Sequence, residues 1–94
     1  MGKLFRRAVT LKFEGIYESA MAPLIQKEVR QNPDVYIKSH PRGLKEGVSR
    51  IELDIVAVRE RRADANAIVT RIAREFIDAV GATGGVLKSS RGLG

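Results

Sequence analysis

Along FRRAVTLKF the apolar positions alternate: Val9, Leu11 and Phe13 fall on one side, Thr10, Lys12 and Glu14 on the other. A period of two marks a strand with one buried face and predicts a first strand over residues 4–14. Gly15 breaks the alternation, and Ile16, Ala20, Leu24, Ile25 and Val29 then recur at helical spacing, which predicts a helix over residues 18–31. Pro23 places the start of that helix close by, because deeper in a helix a proline removes a backbone donor and clashes with the preceding turn. Asn32-Pro33 ends it, since the residue before a proline is pushed out of the α region.

Val35–Ser39 reads as a second strand, and HPRGLKEG (residues 40–47) as a hairpin loop longer than the tight two-residue type. Ser49–Arg59 is the third strand; Val56 and Val58 make its second half apolar on both faces, which suits a central position. A second helix is predicted over residues 62–80, with Ala65, Ile68, Val69, Ile72, Phe76 and Val80 as its buried stripe and Gly81 as its stop. Arg71–Glu75 and Arg74–Asp78 are spaced for ion pairs on its outer surface.

The order β-α-β-β-α predicts an α+β two-layer sandwich of the split β-α-β, KH-like kind. Its three-stranded mixed sheet has the order 1-3-2, with both helices on one face. Residues 1–85 form this single domain, and residues 86–94 are expected as a flexible tail, with Val86 and Leu87 able to add a short edge strand.

Composition narrows the chemistry. Ninety-four residues suit one core and little else. The absence of cysteine removes disulfides, thiolate metal sites and thiol nucleophiles, and points to a reducing cytoplasmic address. No apolar run approaches the roughly 20 residues that cross a bilayer, so no membrane partner is expected. The net charge of +6 comes from the two ends, Lys3, Arg6, Arg7 and Lys12 at one and Lys88 and Arg91 at the other, while residues 14–80 sum to zero.

His40 is the sole imidazole, so a two-histidine metal site is impossible and no metal or other cofactor is expected. As a general base it needs an orienting carboxylate and a nucleophile, but Ser39, its neighbour on a strand, points to the opposite face. Glu52 and Asp54 share a strand face about 6.6 Å apart, and cross-strand pairing with Lys12 and Lys38 accounts for them without catalysis. GATGG (81–85) follows a helix instead of opening one, and EGIYES (14–19) lacks the lysine of a phosphate loop. Lys38, His40, Arg42 and Lys45 form a candidate anion or nucleic-acid contact through phosphates, while Tyr36, the one aromatic placed to stack on a base, is too little for an RNA-recognition-type sheet. Val56 and Val58 are the candidate interface.

FEGIYESAMAPLI, NPDVYIKSHPRG and IELDIVAV, followed by a charged link and an amphipathic helix, resemble the small domain that follows the molybdopterin-binding (MoCF-type) domain in competence-damage-inducible CinA-like proteins of the archaeal-type branch. The resemblance covers about residues 5–85. It implies a KH-like accessory domain, with hydrolysis of nucleotide phosphoanhydrides or pterin binding belonging to the larger MoCF-type domain, which nothing here matches. The GxxG loop of RNA-binding KH modules has no counterpart at either helix junction, so the label describes shape more than ligand. The expectation is a non-catalytic accessory domain that packs on a neighbouring MoCF-type domain or self-associates as an oligomer; the alternative is a basic module binding nucleic acid or nucleotide phosphates. A free-standing hydrolase using His40 with Glu52 or Asp54 is the third reading.

Overall fold

A computed structural model describes residues 2–93. Its elements run β1 (Phe5–Glu14), α1 (Glu18–Gln31), β2 (Tyr36–Lys45), β3 (Val48–Arg59), α2 (Arg62–Ala82) and β4 (Val86–Arg91). The sheet has four strands in the order β2-β3-β1-β4, and every neighbouring pair is antiparallel. This corrects the expected three-stranded mixed sheet of order 1-3-2. The added member comes from the segment expected as a tail: β4 pairs with β1 from Thr10↔Arg91 to Glu14↔Val86, with a register shift between Lys12 and Phe13.

The loop of residues 40–47 is also corrected. β2 continues through it to Lys45, and the reversal is made by Glu46 and Gly47 alone, at φ 54° and 81°. Two successive positive φ values give a turn whose twist matches that of the flanking strands. The irregularity lies earlier, between Pro41 and Leu44, where Gly43 takes φ 74°. Proline fits there because β2 is an edge strand.

α2 runs past Gly81, which is helical, and stops at Thr83. Gly84, at φ 93°, supplies the left-handed residue; its amide donates to the Gly81 carbonyl and that of Gly85 to the Val80 carbonyl, satisfying carbonyls the helix end leaves open. A Cβ on Gly85 would lie 2.6 Å from Val80 Cγ1, so the chain enters β4 through a gap that admits only glycine. In α1, Pro23 sits one turn deeper than expected, inside the helix.

One face of the sheet is buried and the other is not. Val9, Leu11 and Phe13 of β1 and Ile51, Leu53, Ile55 and Ala57 of β3 are buried against Met21 of α1 and Val69, Ile72, Phe76 and Val80 of α2. Both helices therefore cover the same side. The buried stripe of α1 is Met21, Leu24, Ile25 and Glu28, rotated from the expected one: Ala20 and Val29 are exposed, and a glutamate takes an inner position.

Candidate functional site

The uncovered face of the sheet carries the alternate residues of each strand, and register decides which of them meet. Across the sheet, Tyr36 lies opposite Val56 and Val56 opposite Ala8; Lys38, Asp54 and Thr10 form the next row, and His40, Glu52 and Lys12 the one after. Arg6 pairs with Val58 at one end and Glu14 with Arg50 at the other. β4 adds Ser89 opposite Lys12 and Arg91 opposite Thr10.

Two of the four expected anion residues, His40 and Arg42, are engaged with acids of this same face. His40 Nε2 lies 2.9 Å from Asp54 Oδ2, and the Thr10 hydroxyl donates to Asp54 Oδ1 at 2.8 Å. The Arg42 guanidinium binds Glu52, and Arg50 donates to the Arg42 carbonyl at 3.1 Å. Lys38 stands opposite Asp54, and Lys45 lies at the hairpin end, opposite Val48. The structure thus joins His40 to a carboxylate but sends the nearby hydroxyl to that carboxylate instead of to the imidazole. A general base needs its nucleophile on the ring; here the carboxylate is instead hydrogen-bonded by both the imidazole and the hydroxyl. Asp54 and Glu52 find their partners in His40 and Arg42, where the sequence pointed to the two lysines.

Val56 and Val58 both belong to the uncovered face. Val58 is 44% exposed, and Tyr36, beside Val56, is 53% exposed. Together with Ala8 they make one end of the face apolar.

Three adjoining hollows follow β1 along this face. The first, about 380 Å³, lies among Lys12, Arg42, Arg50, Glu52 and Lys88. The second, about 100 Å³, shares Lys12 and Ser89 with it and reaches Thr10 and Arg91. The third, about 320 Å³, shares Thr10 and Arg91 and ends among Arg6, Ala8, Val56 and Tyr36. Among the described residues, Arg6, Lys12, Lys88 and Arg91 have no ion-pair partner, and all four are exposed. Sequence reasoning did not assemble this set, because its members lie on β1 and β4 and only the pairing of the last strand brings them together.

A second cluster lies on the opposite side of the molecule, between the helices. Glu28 is buried, its carboxyl pushed up to about 7 by burial first and then by a hydrogen bond with Glu75 and the charge of that residue. The same hydrogen bond, together with Arg71, lowers the carboxyl of Glu75. Arg71 donates to Glu75 at 3.2 Å and to Asn32 at 2.9 Å, and the Asn32 amide donates to the Glu28 carbonyl at 3.1 Å. Of the two ion pairs expected on α2, Arg71–Glu75 forms; Arg74–Asp78 does not close among the described residues. No group of three or more metal-ligating side chains occurs among the described residues, and no helix is long and apolar enough to cross a membrane.

No family model matches the chain. A protein of Pyrobaculum calidifontis is 32% identical over 74 residues, covering 79% of this chain and 28% of that protein. One of Saccharolobus solfataricus is 25% identical over 97 residues, covering 96% of this chain and 35% of its own length. One of Aeropyrum pernix is 34% identical over 64 residues, covering 64% of this chain and 24% of its own. The chain therefore spans about a quarter to a third of the length of these relatives. Among solved structures, a hydantoinase/carbamoylase family amidase from Burkholderia ambifaria is similar with a TM-score of 0.68 at 11% identity, over 95% of this chain and 27% of that one. At that identity the likeness is one of fold.

Proposed function

We propose that this chain is a non-catalytic accessory domain of a longer, CinA-like protein, and that the apolar end of its uncovered sheet face seats the neighbouring MoCF-type domain. The observation that carries the reading is the bare face itself. A sheet covered by helices on one side only leaves Val58 in water with Val56 half-buried beside it, and apolar groups grouped in this way are the usual mark of a contact surface. The matched relatives are nearly three times as long as the chain, so there is protein available to cover it. The amidase supports the modular part of the reading, since the same fold there occupies a fraction of a larger chain; its chemistry is not carried over. A cytoplasmic address belongs to the same proposal and rests on the cysteine-free composition.

The accessory role is tested by deleting the matching segment from the Pyrobaculum calidifontis relative and assaying hydrolysis of nucleotide phosphoanhydrides by the remainder, with circular dichroism to show that it is folded. Turnover should persist, with changed assembly or substrate affinity. Complete loss of turnover in a folded remainder contradicts the proposal.

A further inference from the structure

The three hollows along β1 share lining residues and form one track, cationic along most of its length and running at one end into the apolar patch of Tyr36, Ala8 and Val56. Six cations line it, Arg6, Lys12, Arg42, Arg50, Lys88 and Arg91, against three carboxylates, Glu14, Glu52 and Asp54. Two of those carboxylates are already held, Glu52 by Arg42 and Asp54 by His40 and Thr10, and Glu14 stands opposite Arg50 in the register. Among the described residues Arg50 forms no ion pair, its Nε buried without a partner, and the exposed unpaired cations Lys88, Lys12, Arg91 and Arg6 step along the strand. At its end Tyr36 stands over a floor of Ala8 and Val56 with its ring in solvent. From Arg6 to Glu14 the track is about 27 Å long at about 3.4 Å per residue.

We propose that this track binds a single strand of nucleic acid, its phosphates passing along Lys88, Lys12, Arg91 and Arg6 and one base stacking on Tyr36. A cationic groove that follows the backbone, joined to an aromatic ring that accepts any base, is the combination single-strand binding requires. The flat face of the sheet suits unstacked bases better than a duplex, whose bases are already buried in their own stack. The site is not the hairpin surface of Lys38, His40, Arg42 and Lys45 that the sequence suggested, because two of those four side chains are already bonded to acids. The inference goes beyond the accessory reading: the strand needs Tyr36 and the cations of β1 and β4, while the neighbouring domain needs Val58, and the two can fail separately.

The test is fluorescence anisotropy of the 94-residue chain with a labelled ten-nucleotide oligouridylate at 50 and 200 mM salt. Binding should weaken with salt. The combined Lys12→Gln, Lys88→Gln and Arg91→Gln variant should lower the slope of log K against log salt by about two, at about 0.7 per phosphate contact. Tyr36→Ala should weaken binding about tenfold with the slope unchanged, and Tyr36→Phe should bind like the parent, as loss and retention of one stacked base require. Val58→Asp should leave binding intact. The proposal is overturned by no binding at 50 mM salt, by a duplex of equal length binding as tightly, by uridine monophosphate competing as well as the oligonucleotide, or by losses that follow Lys45→Gln and not the track variants.

Discussion

The carboxyl group of Glu28 on α1 is hydrogen-bonded to that of Glu75 on α2, and two carboxyls so joined must hold a proton between them. Glu28, only 4% exposed, keeps it, and Glu75 stays ionised beside Arg71. Below about pH 7 the contact between the two helices therefore includes a protonated acid.

The pH dependence of stability follows from this pair. Glu28 rises from 4.5 to about 7 on folding, so folding takes up a proton between those values. Its favourable contribution is complete below about pH 4.5 and is lost as pH rises through 7. A shift of this size corresponds to roughly 3 kcal/mol, offset in part by Glu75, whose lowered carboxyl acts in the opposite sense. Urea midpoints should fall between pH 5 and pH 8 for the parent. Glu28→Gln, which keeps the volume and has no charge to bury, should flatten that fall and be the more stable protein at pH 8.

The hairpin turn is open to improvement. Glu46 occupies the left-handed region at φ 54°, where side chains other than asparagine and aspartate are disfavoured. Glu46→Asn should stabilise the fold by about 0.5–1 kcal/mol, read as a higher thermal midpoint with an unchanged circular dichroism spectrum.

Removing β4 should be costly. Ending the chain at Gly85 strips β1 of its partner from Thr10 to Glu14 and takes away Leu87, which packs on the core. A loss on the order of 2–3 kcal/mol is expected from the buried leucine and the ladder bonds together. The bared edge of β1 should also promote association. A truncated chain as stable and as monomeric as the parent contradicts the assignment of this segment to the sheet.

The parts of the fold that were legible in the sequence are those where burial dictates period. Val9, Leu11 and Phe13 must alternate because one face of β1 is in the core, and Val69, Ile72, Phe76 and Val80 must recur because one stripe of α2 is. β4 was expected only as a tail able to add a short edge strand at Val86 and Leu87, because VLKSSR buries little: of its residues Leu87 alone packs on the core, and the strand is held by its backbone pairing with β1. The tight turn was missed because Glu-Gly is a weak form of the Asn-Gly signal. Glu28 was missed because a glutamate at an inner helical position looks like surface until its partner on the other helix is known. The candidate site was legible by residue type, in His40, Arg42, Tyr36 and the two valines. Its arrangement was not, because which cations remain unpaired depends on the cross-strand register.

The central claim is that the apolar end of the uncovered sheet face is a contact surface. Hydroxyl-radical footprinting tests it most directly, applied to the Pyrobaculum calidifontis relative whole and to its excised segment matching this chain. Side chains at the positions of Val56 and Val58 should be labelled in the isolated segment and protected in the whole protein, while those facing the helices stay protected in both. Equal labelling of that face in the two samples would contradict the account.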